Sequence, residues 1–165
     1  MMDINQFQSE ILIDTIAGMA NFNSHVVTCM TMIAAHESLG CTYVVQNGGG
    51  PAKGPYQMET RTHDDVWRNS DNIWNDAFRL KIITQQEYLD NELGNSSCHP
   101  HANRMIYDFK YATFMARKRL HMDVNPIPKT LESCAEYCKS FWNAGGKATA
   151  QEYYDDYNRW VEAFR

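Results

Sequence analysis

The stretch AAHESLG, residues 34 to 40, carries a carboxylic acid, Glu37, at the end of a run that otherwise reads as the buried face of a helix. Burial makes a carboxylate harder to ionise, so an acid half-sheltered at the end of an apolar stripe is expected to hold a proton nearer neutrality. A group of that kind serves as a general acid. Protonating a glycosidic oxygen is a common use, because a sugar alkoxide leaves poorly until it gains a proton. A Glu that turns to solvent, or pairs with an Arg at a helix end, is the bland alternative for this residue alone.

Two further segments supply what a saccharide cleft needs. GPYQMETRTH carries Gly54, Tyr56, Gln57 and Glu59, and FWNAGG carries Trp142, Asn143 and Gly145. Gln57 and Asn143 can each donate and accept hydrogen bonds, which suits hydroxyl and N-acetyl groups. Their ordinary roles are a polar loop residue and a helix end closed by glycine. Pyranose faces pack on aromatic rings, for which Tyr43, Tyr56, Tyr107 and Trp142 are available, with Tyr56 foremost. Trp67, Trp74, Phe109 and Trp160 are assigned to the core.

The order ES, then G-x-x-Q, then an aromatic with NAG resembles the soluble lytic transglycosylases and goose-type lysozymes of the lysozyme-like superfamily, whose three motifs run ES, GLMQ and AYNAG. GPYQMETRTH is similar to the goose-type GLMQVDKRxH at Gly54, Gln57, Arg61 and His63, with an acid at Glu59. Pro55 and Tyr56 depart from the usual Leu-Met, and the superfamily's middle motif is not clear in IYDFKYATFMARKRL. GGGPAKGPYQMETRTHDDVW also resembles a loop of short phage-encoded chains, often virion or tail components.

The resemblance implies a peptidoglycan glycosidase acting on the β-1,4 bond between N-acetylmuramic acid and N-acetylglucosamine, or else a non-catalytic virion or tail protein on the same fold. It makes Glu37 the acid, Ser38 the neighbour that orients it or the substrate, Gly54 a point of close approach to a sugar, and Gln57, Asn143 and Gly145 parts of the cleft. Inverting hydrolysis needs a second carboxylate roughly 6.5–9.5 Å away to activate water. Glu59 fills that role or is a solvated loop charge, and Asp64 and Asp65 are further options. A transglycosylase uses the one Glu twice. No cofactor and no metal is required.

Positioning these residues calls for helices. Ile4, Phe7, Ile11 and Leu12 predict a first helix ending near Gly18, and Ser24 can cap a second whose Val26, Met30 and Ile33 lead to Glu37. LGCTYVVQNGGGPAKGPYQ loses the helical period and reads as a glycine-rich loop or short hairpin. Helical segments follow over 62–67 and 73–81, and Thr84 with Glu87 makes a capping box. Met105, Phe109, Ala112, Ala116 and Leu120 form the longest apolar stripe, a central helix ended by Pro126 and Pro128. Thr130 can cap a helix through Phe141, and Thr149 with Glu152 a last one. The expected fold is mainly α, a single lysozyme-like domain over 1–165.

With 165 residues the chain can bury roughly 70% of its unfolded surface in one core. A net charge of -5 with dispersed Lys and Arg excludes a phosphate-backbone stripe, so nucleic acid is not an expected partner. The N-terminus lacks the pattern of a secretory signal, and no run approaches the roughly twenty apolar residues of a spanning helix, so membrane insertion is not expected. The five cysteines match no disulfide framework, which points to a reduced chain made in a cytosol; the resemblance to phage-encoded chains implies that this is a host cytoplasm and that the chain is destined for a virion acting on the cell wall. Cys134 and Cys138, one turn apart, could be half of a zinc site but are assigned as buried thiols. CHPH, Cys98 to His101, is read as a loop, and His36 and His63 as structural.

Overall fold

The computed structural model describes residues 2–94 and 99–161, which form nine helices and one small hairpin. Helix α1 spans 4–16. Asp3 caps it by accepting from the amides of Asn5 and Gln6, and its middle, Phe7–Leu12, is wound as a π-helix. Helix α2, Ser24–Glu37, starts one residue earlier than expected, because Asn23 and not Ser24 is the cap, accepting from the His25 and Val26 amides. From Cys29 to Ala35 every residue of α2 is buried, so it is an all-round core helix rather than one with a single apolar face.

The glycine-rich stretch is a hairpin. Strand β1, Ala52–Lys53, pairs antiparallel with β2, Met58–Glu59, with Ala52 opposite Glu59, and Val45 bridges Lys53 on the other side. Helices α3 (Thr60–Asn69), α4 (Ile73–Arg79) and α5 (Gln85–Glu92) follow, the last opened by the Thr84–Glu87 capping box. Cys98 lies outside the described residues, and with it part of the CHPH segment.

The long apolar stripe is two helices, not one. α6, Arg104–Tyr107, stops where Asp108 takes an extended conformation and accepts from the Tyr111 amide, capping α7, Phe109–His121. Helix α8 covers 131–142, capped by Thr130, and its last stretch, Cys138–Trp142, is π-helical. α9, Ala150–Trp160, begins with the Thr149–Glu152 capping box.

α2 and α7 are the two most buried helices, and α1 packs on both. α9 and α8 cover the other side of α2, which sets the end of α2 beside the beginning of α9 and the end of α8. Trp67 is buried as assigned, while Trp74, Phe109 and Trp160 are partly buried against the core. Among the described residues no helix is long and apolar enough to cross a membrane.

Candidate active site

Glu37 is the last residue of α2, and the chain reverses immediately after it. Leu39, Gly40 and Cys41 all take left-handed backbone conformations, with φ of 50°, 66° and 65°. At Leu39 and Cys41 that conformation costs about 1–2 kcal/mol each. Gly40 has no alternative, because a Cβ there would sit 2.6 Å from the ring of Trp160 on α9. Ser38 holds the turn. Its Oγ donates to the Ala34 carbonyl at 2.8 Å and accepts from the Cys41 amide at 3.0 Å, and the residue is fully buried. The expected substrate contact at Ser38 is therefore corrected: both hydrogen-bonding directions of its hydroxyl are spent on the backbone.

The Glu37 carboxyl is half-buried, and two donors meet on one of its oxygens. Oε1 accepts from the Tyr153 hydroxyl and from Asn143 Nδ2 at 3.4 Å. Burial, and then the neighbouring Glu37 charge, push the Tyr153 hydroxyl far above its ordinary pKa, so it stays protonated and donates. Oε2 has no protein partner among the described residues. His36 stiffens the arrangement: its ring lies 4.0 Å from that of Tyr153, and its Nδ1 meets Asp156 Oδ2 at 2.8 Å, tying α2 to α9.

Glu37 opens into a cleft of about 710 Å³ whose walls come from three separated segments. Gln57, Glu59, Trp142, Asn143 and Gly145 all line it, together with Tyr43. Gln57 reaches it from a left-handed conformation, φ 44°, with its side-chain amide donating to the Gly54 carbonyl at 2.9 Å. Glu59 is exposed on β2. Asp64 and Asp65 do not line this cleft; Asp64 pairs with His63 Nδ1 at 2.8 Å, and Asp65 accepts from Asn69. His63 is buried, its Nε2 2.6 Å from the Tyr111 hydroxyl, which also accepts from Trp67 Nε1. That closed network makes His63 structural.

Three further assignments are corrected. Tyr56, the foremost sugar-stacking candidate, is 1% exposed and sits between Phe7 and Trp142, with ring centroids 5.9 and 6.2 Å away. Its ring is a wedge behind the cleft wall. Gly54 does allow close approach, but to the protein: a Cβ there would lie 2.7 Å from the Met105 carbonyl, and its φ is 73°. Tyr107, 77% exposed, is not part of the cleft.

Three contributors escaped the sequence. Tyr153 shares the first turns of α9 with Tyr154 and nothing local distinguishes them. Arg119 on α7 lines the cleft with its guanidinium 4.6 Å over the Trp142 ring and Nη2 donating to the Trp142 carbonyl at 3.2 Å. Burial lowers its pKa, and the charge of Glu37 opposes that shift. Gly146, rather than Gly145, is the closely packed glycine of NAGG, since a Cβ there would displace the Asn143 side chain. Lys139 clamps that turn by donating to the Asn143 and Gly146 carbonyls at 3.0 and 2.7 Å.

The arrangement offers one oriented carboxyl with a free oxygen, amides at two sides, an indole wall backed by a cation, and a second carboxyl across the hairpin. Comparison of the chain with protein-family models, with curated proteins and with solved structures finds no match.

Proposed function

We propose that the protein is a peptidoglycan glycosidase of phage type that cleaves the β-1,4 bond between N-acetylmuramic acid and N-acetylglucosamine, with Glu37 as general acid. The observation that carries this reading is the convergence of Glu37, Gln57 and Asn143, far apart in sequence, on one cleft in which the carboxyl is held by donors on a single oxygen. Oε2 would deliver its proton to the bridging oxygen as the C1–O bond breaks, leaving an oxocarbenium-like centre at C1. Capture by water, its proton taken by Glu59, gives a reducing end. Capture by the C6 hydroxyl, its proton returned to Glu37, gives an anhydro end. Trp142, buried with Arg119 over its ring, forms the cleft wall, and Gln57 and Asn143 offer partners to the sugar's substituents. In this reading the chain is made in the host cytoplasm and carried in the virion.

The test is turbidity loss of permeabilised Gram-negative cells or release of muropeptides from purified sacculi. Wild type should be active and Glu37→Gln reduced about 10²–10⁴-fold, the usual contribution of a general acid. Mass spectrometry of the products separates the two captures, and a Glu59→Gln variant that still yields reducing ends rules out Glu59 as the base. Glycan binding without cleavage by the wild type would overturn the catalytic reading and assign the cleft to a non-catalytic virion role.

A further inference from the structure

Three cysteines outside the cleft lie together in the core. Cys29 on α2 and Cys134 and Cys138 on α8 are all buried and free, and their sulfurs lie within 4.8 Å of one another. Cys134 and Cys138 are one turn apart on the same face of α8, and Cys29 faces them from the neighbouring helix. The Sγ atoms of Cys29 and Cys138 are 3.8 Å apart. That separation is close to twice the ~2.05 Å of a disulfide bond. It agrees with the ~3.8 Å edge of a tetrahedron of thiolates, each ~2.3 Å from a central zinc ion. Cys134 is in hydrogen-bonding contact with both of the other thiols, and Cys138 Sγ also lies 4.0 Å from the Cys29 carbonyl, a weak contact.

We propose that Cys29, Cys134 and Cys138 form a binding site for a thiophilic divalent cation of the zinc class that joins α2 to α8. His25, half-buried one turn before Cys29 on α2, is not part of the cluster as it stands and would have to turn toward it to complete a Cys₃His set. The three bind a cation as thiolates, releasing their protons as it enters. Three buried thiolates from two helices make a site structural in kind. Its place gives it a consequence: Cys29 lies eight residues, roughly 12 Å of helix, before Glu37, and Cys138 five residues before Asn143. A cation here would fix the two helices whose ends form the cleft.

The probe is Zn(II), and Cd(II) for spectroscopy, added to the full-length reduced protein. Native mass spectrometry should find one ion per chain, Cd(II) should give a thiolate charge-transfer band, and a chelator should lower the melting temperature. Cys134→Ser and Cys138→Ser should each weaken binding more than about 100-fold, beyond the cost of losing a supporting partner, while Cys41→Ser, a buried thiol outside the cluster, should leave it unchanged. Because a serine in the core can itself unfold the chain, a second readout uses the wild type alone: Zn(II) should slow alkylation of Cys134 more than about 10-fold. Failure of the reduced wild type to retain either ion, a stoichiometric ion retained by a folded Cys134→Ser/Cys138→Ser double variant, or isolation of a Cys29–Cys138 disulfide with no ion bound overturns the proposal. None of these outcomes bears on the glycosidase reading, which the Glu37→Gln assay tests separately.

Discussion

Two donors on the same oxygen of Glu37 do more than orient it, because they decide which oxygen is left for a ligand. Tyr153 is the stronger lever, being fully buried and donating from a hydroxyl that cannot ionise near neutrality. Tyr153→Phe keeps the ring against His36 and removes only the hydroxyl. Losing a hydrogen bond to a charged group costs about 1.5–3 kcal/mol. The urea midpoint should fall accordingly, and muropeptide release should drop about tenfold or more while glycan binding persists. An unchanged release rate would show that Glu37 works without this partner. At the opposite wall Gly145 has open space around it and Gly146 does not. Gly145→Ala should stay within about 0.5 kcal/mol of wild type, as surface substitutions usually do. Gly146→Ala must instead displace the Asn143 side chain, and should lower both stability and cleavage.

Among the elements, what could be read from the sequence is what is decided locally. The capping boxes at Thr84 and Thr149 each need only residues three apart, and both form as written. The hairpin announced itself by Gly48, Gly49 and the loss of helical period, and the three motif segments indeed meet in one cleft. The break at Asp108 was hidden because Met105 and Phe109 to Leu120 keep a continuous apolar spacing across it; the capping bond to Tyr111 overrides that pattern. Tyr153 and Arg119 were hidden for a different reason, since their partners lie 116 and 23 residues away. Tyr56 and Gly54 were misassigned because a motif fixes neighbours in sequence but not which side faces the groove. The hairpin yields its own prediction: Gly54→Ala should destabilise by about 1–3 kcal/mol from its left-handed backbone alone, with the Met105 contact adding to that in a denaturation curve. A melt indistinguishable from wild type would contradict the packing described.

Over the whole molecule, acid should be the destabilising direction. Burial, with the charge of Arg117 adding, holds His121 down to about 4 in the folded protein against 6.5 for a free imidazole. As pH falls, the unfolded chain takes up a proton near 6.5 that the folded chain refuses until about 4, so stability declines across that window. Burial depresses His63 in the same sense. At Asp76 burial works the other way, but bonds from Lys118 and Arg79 outweigh it and hold the carboxyl below its usual range, so its contribution too is lost on acidification. Melting temperatures should fall steadily from pH 7 toward 4, and His121→Gln should flatten that slope; a flat wild-type profile would refute the assignment. The long reach of the Glu37 contacts bears on timing as well. A chain being synthesised cannot orient its acid until residue 153 has been added and the last helix has docked, more than a hundred residues after Glu37 was made. On the proposed reading, a chain extended only to residue 152 lacks the hydroxyl that orients Glu37 and is inactive in the muropeptide assay.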